Sequence, residues 1–159
     1  MTFGKQTLLL GARYDYNSKH GSIFTPRMAY KIKLNQTDVI RFNIGRGYRV
    51  VNLFTEEHAA LTGSREVIVK SALKPEQSWN GNINFVKKIV TGNSFVGLDA
   101  SLFYTRFSNQ ILPDYDTNPN QIIYDNLDGY GISKGVSLNL DLNFYFPLKI
   151  ILGGTYLDT

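Results

Sequence analysis

The residues best arranged for chemistry lie in two polar segments of this 159-residue chain. Asp114, Asp116 and Asn118 alternate with other residues, and oxygen ligands at that spacing resemble the start of a calcium loop. The glycine and the distal glutamate that complete such a loop are missing, so the sequence predicts no metal site there. The Glu-Glu-His segment at 56–58 carries titratable groups, but adjacent residues of one segment do not converge on a metal ion.

Nucleophilic catalysis is not indicated either. The chain has no cysteine, which excludes disulfides, thiolate metal ligands and cysteine nucleophiles. Neither Ser64 nor Ser108 is accompanied by the His and Asp of a hydrolase triad. The Gly-Arg-Gly segment at 45–47 opens no βαβ unit, so it is not a dinucleotide fingerprint. We therefore predict a protein that is not an enzyme, with no cofactor, no catalytic residue and no metal ligand.

The composition favours a domain of β-strands. Aromatic residues make up 13% of the chain, with ten Tyr and ten Phe, and these residues are enriched in strands. The formal net charge is +4 without a dense Lys/Arg cluster, so no nucleic-acid partner is predicted. No window approaches about 18 consecutive apolar residues, the length of a membrane-spanning helix. No apolar segment follows Met1, so we expect no signal peptide in this sequence.

The segment from Val136 to Phe146 has the clearest pattern in the chain. Its even positions are large apolar residues and its odd positions are mostly Ser, Asn and Asp. This strict period of two predicts a β-strand with one apolar and one polar face. Eleven residues also match a tilted strand that crosses a bilayer, which takes about 9–11.

The same alternation recurs along most of the chain. It predicts further strands over 6–16, 26–34, 39–47, 78–85, 95–104 and 148–157, with a short strand at 67–69. The connections alternate between short ones (35–38, 91–93 and 147) and long ones (after 16, 48–77 and 107–121). We predict an all-β fold, an antiparallel meander of about seven strands with its long loops at one end.

This pattern fits two classes of protein. A soluble β-sandwich or small ligand-binding barrel also alternates, and its polar face simply meets solvent. The loop asymmetry, the uninterrupted aliphatic faces and the aromatic residues near strand ends favour a transmembrane barrel with a polar lumen. In that barrel we predict lipid-facing residues Leu98, Leu102, Leu138, Leu140 and Leu142, and lumen-facing residues Arg41, Asp99, Asn139, Asp141 and Asn143.

Three segments resemble one family of such barrels. Residues 45–54 read Gly-Arg-Gly-Tyr-Arg-Val-Val-Asn-Leu-Phe, residues 73–79 read Leu-Lys-Pro-Glu-Gln-Ser-Trp, and residues 133–137 read Ser-Lys-Gly-Val-Ser. In this order they resemble the TonB-dependent receptors of Gram-negative outer membranes. The family usually has Ala-Pro at the positions of Val50 and Val51, and Glu at the position of Ser137.

The resemblance implies a fold and a function. Such receptors have 22 strands closed around a plug, so residues 1–159 are expected to be an internal part of the barrel, without plug, signal peptide or C-terminal strands. It implies TonB-coupled uptake of a small scarce nutrient, such as a siderophore, haem, cobalamin or glycan, with TonB acting through the absent plug. It also implies outer-membrane lipid around the barrel, and open edges through which the isolated fragment self-associates. The loop residues that we consider candidates for ligand contact are Tyr48, Arg49, Asn52, Asp114, Tyr115 and Asp116.

Cations form one further pattern. Several of them fall on predicted inward faces of neighbouring strands, where they would form a basic wall facing the plug or an anionic ligand. The alternative is a scattering of solvated charges. The cations concerned are Arg13, Arg27, Lys31, Lys33, Arg41 and Arg46.

Overall fold

The described part of the chain folds as β-strands joined by turns and loops. A computed structural model describes residues 2–50, 65–69 and 73–159. Its strands are β1 (Thr2–Phe3), β2 (Gln6–Asn17), β3 (Gly21–Lys33), β4 (Asp38–Arg49), β5 (Glu66–Val69), β6 (Glu76–Thr91), β7 (Ser94–Ser108), β8 (Ile111–Asp114), β9 (Gln121–Asn126), β10 (Tyr130–Asn143) and β11 (Lys149–Asp158).

One long sheet contains eight of these strands in the order β1-β2-β3-β4-β6-β7-β10-β11, and every neighbouring pair is antiparallel. β1 is a two-residue extension beside β2, and the other seven strands have 10 to 16 residues. The predicted all-β meander of about seven strands is confirmed.

The alternation along β10 explains how the sheet acquires two different faces. Leu140 lies directly opposite Leu98 of β7 and Leu152 of β11. The preceding residue, Asn139, points to the other side, opposite Asp99 and Gly153. Because directly opposed residues share a face, the pattern of one strand continues across its neighbours. We call the two sides the apolar face and the polar face.

The long sheet is a single layer. Its strands make extensive contacts only with their neighbours in the sheet, and β2 and β11 are not paired with each other. Only Ile23, Asp38, Ile122 and Tyr124 are buried among the described residues. A sandwich needs a second sheet packed against the face of the first, and a small barrel needs a closed sheet; the described strands form neither arrangement. Within the described residues, no helix has the length and apolarity needed to cross a membrane.

A second, three-stranded sheet lies within the long connections, and we call it the loop sheet. Its order is β5-β9-β8, with β5 parallel to β9 and β8 antiparallel to β9. The short strand predicted at 67–69 is therefore present as β5. The sequence predicted a plain loop over 107–121, and the structure differs by forming β8 there. β9 forms in the segment after this loop, where the alternation of polar and apolar residues is ambiguous.

The short turn between β3 and β4 is held by side chains. The Oδ1 atom of Asn35 accepts hydrogen bonds from the backbone N–H groups of Thr37 and Asp38, at 2.8 and 2.7 Å. Its Nδ2 atom donates to Oδ2 of Asp38 at 2.9 Å. Asp38 also lies 3.7 Å from Nζ of Lys87 on β6. The hydrogen bond from Asn35, with smaller contributions from Thr37 and Lys87, holds the pKa of Asp38 below its ordinary value of 3.8.

This turn gives a pH-dependent prediction. A carboxylate with a lowered pKa stabilises the fold above the unfolded-state value, and that contribution is lost as the pH falls through the folded-state value. We expect Asn35→Ala to lower the free energy of unfolding of the full-length protein by about 1 kcal/mol at pH 6, and by progressively less as the pH falls below 3.8 toward the lowered pKa of Asp38. Urea titrations at pH 6 and at successively lower pH values measure this change. Asp38→Asn should reduce this pH dependence, and an unchanged pH dependence in that variant would contradict the assignment.

Candidate functional site

The polar face carries a hydrogen-bond network that links three strands. Nη1 of Arg41 on β4 donates to Oδ1 of Asn84 on β6 at 2.9 Å. Nδ2 of Asn84 in turn donates to Oδ1 of Asp99 and to Oγ of Ser101 on β7, at 2.7 and 2.9 Å. Such a network holds these side chains in place and keeps their polar atoms on one side of the sheet.

The polar face continues across β10 and β11. Asp141 forms an ion pair with Nζ of Lys149 at 3.2 Å, and Asn143 lies directly opposite Lys149. Asn139 lies opposite Asp99. All five residues predicted to face a lumen therefore share one face, but this geometry does not identify what fills the space in front of it.

The apolar face carries the five leucines predicted to meet lipid. Leu98 and Leu140 are direct neighbours, and Leu138 and Leu142 lie on either side of Leu140 along the same face of β10. None of the five is buried, and Leu102 is 53% exposed. Large apolar side chains that remain uncovered over several strands mark a surface that another apolar phase or partner covers.

Aromatic residues mark the upper edge of this face, at the end where the long loops leave. One complete row of opposed residues serves as the reference: Leu10, Met28, Ile44, Gly81, Tyr104, Lys134 and Asp158. Tyr14 on β2 lies four residues above this row, and Trp79 on β6 lies two above it. Tyr104 lies on the row and Tyr156 on β11 lies two residues below it. The aromatic edge thus descends by six residues over six strand steps.

The lower edge of the apolar face, at the short-turn end, descends in the same direction. Gln6 on β2 lies four residues below the reference row. The ion pair between Asp38 of β4 and Lys87 of β6 lies six below it, and Phe144, just after β10, lies ten below it. The apolar band therefore has two oblique and nearly parallel edges.

Arg46 differs from its predicted position. The sequence grouped it with cations on inward faces, but in the structure it lies on the apolar face, directly opposite Trp79. Its guanidinium donates to Oε1 of Gln77 and to the carbonyl of Phe24. Arg106, on the other side of Trp79, lies 4.5 Å from the centre of the Tyr130 ring. Cations that bind polar neighbours and aromatic rings are typical of the boundary between an apolar surface and water.

Two of the segments singled out in the sequence meet at the base of a long loop. Arg49 ends β4, Glu76 begins β6, and the two residues are directly opposed. Nε of Arg49 lies 3.2 Å from Oε2 of Glu76. Oε1 of Glu76 also accepts a hydrogen bond from the backbone of Ile111, at 3.0 Å. The Gly-x-Gly-Tyr-Arg and Leu-Lys-Pro-Glu segments thus close the base of the loop between β4 and β6. Through Glu76 they also bind the start of β8 in the next long connection.

Asn126 fastens the loop sheet to the long sheet, and sequence reasoning did not find it. Its side chain exchanges two hydrogen bonds with the backbone of Lys74, at 2.7 and 2.9 Å. Its Nδ2 also donates to the carbonyl of Asn109 at 2.7 Å. Ile122 and Tyr124 of β9 are 7% and 2% exposed, so they form the small core of the loop sheet. The β-branched and aromatic residues Ile122, Ile123 and Tyr124 are the signal from which this strand was recognisable.

The predicted ligand-contact residues have different roles in the structure. Arg49 is engaged by Glu76, and Asn52 lies outside the described residues. Asp114 caps its own turn by accepting from the backbone of Asp116 and Thr117, at 2.9 and 3.0 Å. Tyr115 and Asp116 are exposed at that turn.

Tyr48 has an unusual environment among these residues. It lies near the end of β4, above the apolar band and beside the start of a long loop. Its hydroxyl is buried and has no hydrogen-bond partner among the described residues. Burial raises the pKa of this hydroxyl, so it remains a neutral donor at physiological pH. A buried donor without a partner is a candidate contact for an atom that another segment or a ligand brings.

Acidic and histidine side chains give no metal centre in the described ranges. No group of three or more His, Asp or Glu residues converges there. The 56–58 segment falls outside the described residues. Asp114, at the start of the calcium-like run, uses its carboxylate for its own turn.

Comparison with known proteins identifies a related family and related folds. A family model described as TonB dependent receptor-like, beta-barrel, matches residues 1–159. A comparison with curated protein sequences gives no match.

Three solved structures illustrate the likeness. The siderophore receptor PirA from Pseudomonas aeruginosa superposes with a TM-score of 0.76 at 19% identity, over 98% of this chain and 29% of that one. The ferric enterobactin receptor PfeA from the same organism gives 0.72 at 18% identity, over 98% and 25%. The hemophore receptor HasR from Serratia marcescens gives 0.70 at 12% identity, over 97% and 29%. The chain thus spans less than a third of the length of these receptors.

Proposed function

Because the chain belongs to the TonB-dependent receptor β-barrel family, we propose that it forms part of the wall of an outer-membrane receptor that imports a scarce nutrient. The barrel supplies the wall and the outer loops. The energy comes from the TonB system through the plug of the full-length protein. No bond is made or broken in the cargo, so the proposal involves transport and no enzymatic step.

The slope of the apolar band supports a place in a membrane. The upper edge falls six residues over six strands, which at about 3.4 Å per residue and 4.8 Å per strand corresponds to about 35°. The lower edge falls six residues over five strand steps, or about 40° by the same spacings. Strands of transmembrane barrels are tilted by about 35–45°. Tilting the strands by this amount brings both edges parallel to a membrane surface.

The height of the band supports the same proposal. Gln6 and Tyr14 bound it on β2 and are eight residues apart; Lys134 and Phe144 bound it on β10 and are ten apart. Projected along the tilted strands, these separations correspond to about 22–27 Å. The apolar band of an outer-membrane barrel is about 25 Å tall. In a soluble sheet, nothing would set the height of the apolar band to the thickness of a membrane or give the band oblique, parallel edges.

Under the proposal, the two faces of the sheet have different surroundings. Leu98, Leu102, Leu138, Leu140 and Leu142 lie inside the band and face lipid. Arg41, Asp99, Asn139, Asp141 and Asn143 face the lumen. The loop sheet, with the buried Tyr48 hydroxyl near its base, lies on the outer side, where cargo arrives. Tyr115 and Asp116, exposed at the turn after β8, stay candidates for contact with it.

The proposal also ranks the classes of nutrient that the receptor would import. The similar structures include receptors for a siderophore, for ferric enterobactin and for a hemophore with heme. We therefore place an iron chelate or haem first, with cobalamin and glycans as the other classes. β11 has a sheet neighbour on one side only among the described strands, so the 159-residue chain by itself is expected to self-associate through its edges.

Membrane fractionation and deletion of the gene test the proposal. We expect the full-length protein in the outer-membrane fraction, and we expect a deletion strain to lose growth on at least one scarce nutrient supplied at a limiting concentration. Iron chelates, haem, cobalamin and a glycan panel are the supplements. Inactivating TonB should give the same growth defect. Recovery of the full-length protein in the soluble fraction, or growth independent of TonB, would contradict the proposal.

A further inference from the structure

Two cations lie directly opposite each other on the polar face. Lys31 of β3 and Arg41 of β4 are paired in the register of the sheet. Like charges directly opposed on adjacent strands repel and destabilise the pair. Arg41 donates to the neutral Asn84, and neither residue has a carboxylate partner among the described residues. A negative charge from another segment or from a ligand would offset the repulsion between these two cations.

Three more cations extend this pair into a line along the polar face. Arg27 lies four residues from Lys31 toward the long loops, about 13 Å along β3. Lys33 lies two residues from Lys31 toward the short turns, and Lys88 of β6 lies two strands away and two residues farther in that direction. We call this set the cationic track: Arg27, Lys31, Lys33, Arg41 and Lys88.

Nearby carboxylates do not neutralise the track. Asp15 of β2 is bound by Arg13 of the same strand, at 2.8 Å. Glu76 is bound by Arg49. The other polar-face carboxylates of the long sheet, Asp99 and Asp141, lie on β7 and β10, on the far side of β6. The cations of the track thus lie on β3, β4 and β6, whereas Asp99 and Asp141 lie on strands beyond β6.

A groove opens at the upper end of the track. Arg27 lies between two glycines, Gly11 of β2 and Gly45 of β4. A methyl group on Gly11 would lie 2.7 Å from Nε of Arg27, so in this conformation the side chain of Arg27 crosses over Gly11. The groove around it has a volume of about 500 Å³, and Asn80 and Thr105 are among its lining residues. This volume is in the range of small-molecule sites.

We propose that the cationic track binds a small polyanion and guides it along the polar face from the Arg27 groove toward the short-turn end. This inference rests on the proposed function and narrows its cargo to an anionic class. The cations are spread along the strand rather than gathered in one cluster, so they offer a polyanion successive binding positions. The groove beside Arg27 has the volume of a small-molecule site, and the cations of the track complement a small polyanion in charge.

Binding of inorganic tripolyphosphate to the purified full-length receptor tests the track without knowledge of the cargo. Calorimetry at low ionic strength is suitable because salt screens such contacts. The double variant Lys31→Gln/Arg41→Gln should bind about tenfold more weakly than the wild type, since two charges near the anion are lost. Its melting temperature without tripolyphosphate should equal or exceed that of the wild type, because the repulsion is removed.

Two single variants complete the experiment. Arg27→Gln should weaken binding about threefold, and it keeps the test valid if the double variant folds poorly. Lys149→Gln removes a polar-face cation that already has a carboxylate partner, so its affinity should stay within about twofold of wild type.

Two results would contradict the proposed binding role of the cationic track. One is wild-type affinity in both Arg27→Gln and the double variant. The other is no tripolyphosphate binding by wild type together with a lower melting temperature of the double variant, which would indicate that plug carboxylates occupy the track. Neither measurement depends on TonB or growth, so failure of the track and failure of the transport proposal are separate results.

Discussion

Leu140→Arg should lower the stability of the full-length receptor in a bilayer by about 2–4 kcal/mol. Leu140 lies near the middle of the apolar band on β10, between Leu98 and Leu152 in one row. A guanidinium at that depth must leave water or reach along the surface to the headgroups, and either costs free energy. Urea titration in phospholipid vesicles, followed by tryptophan fluorescence, measures the change.

Asn139→Arg is the matched control, since it places the same side chain one residue away on the opposite face. Asn139 lies opposite Asp99, so an arginine there gains an opposed carboxylate, and the stability should stay within about 1 kcal/mol of wild type. Asn139→Asp is a poorer control than the sequence suggests, because it sets two carboxylates directly opposite each other. Equal losses from Leu140→Arg and Asn139→Arg would refute the assignment of the two faces.

Gly135→Ala should lower the free energy of unfolding by about 1–3 kcal/mol, although it adds a single methyl group. That methyl group would meet the backbone carbonyl oxygen of Tyr156 on β11 and would lie 2.6 Å from Cζ of Phe103. A backbone oxygen cannot turn away as a side chain can, so the β10–β11 pairing must shift. The glycine of the Lys-Gly segment at 134–135 therefore permits close strand contact. The same urea titration detects the loss.

Gly154→Ala makes the same chemical change on the neighbouring strand. Gly154 lies opposite Leu138 on the apolar face, and a methyl group there meets nothing within 4 Å. Its stability should stay within about 0.5 kcal/mol of wild type. A loss as large as that of Gly135→Ala would mean that strand propensity, rather than the contact with Tyr156, decides the effect.

The strands and their faces follow from local sequence. In β10, each apolar residue is followed by a polar one, and a period of two has only one regular structure that separates them. The short connection at 35–38 contains Asn and Asp, which stabilise turns by bonding their own backbone. Both signals depend on residues a few positions apart, so the sequence alone predicts the meander and the grouping of Leu138, Leu140 and Leu142.

The loop sheet and the role of Arg46 depend on distant residues. β5 pairs with β9, which lies more than fifty residues later in the chain, and no local pattern indicates such a partner. Arg46 continues the alternation of β4 on its apolar side, but its charge suggested the polar side. Its hydrogen bonds with Gln77 and Phe24 are made by two other strands, so its position became clear only with the register of the sheet.

The contact between Arg49 and Glu76 bears on how such a receptor evolves. The two residues close the base of the loop between β4 and β6, and the register of those strands holds on its own below that point. Residues can be inserted, deleted or exchanged above this closure without moving the wall, because a longer closed loop costs little additional entropy. The contact thus marks a boundary, above which the sequence can change without altering the strands beneath it.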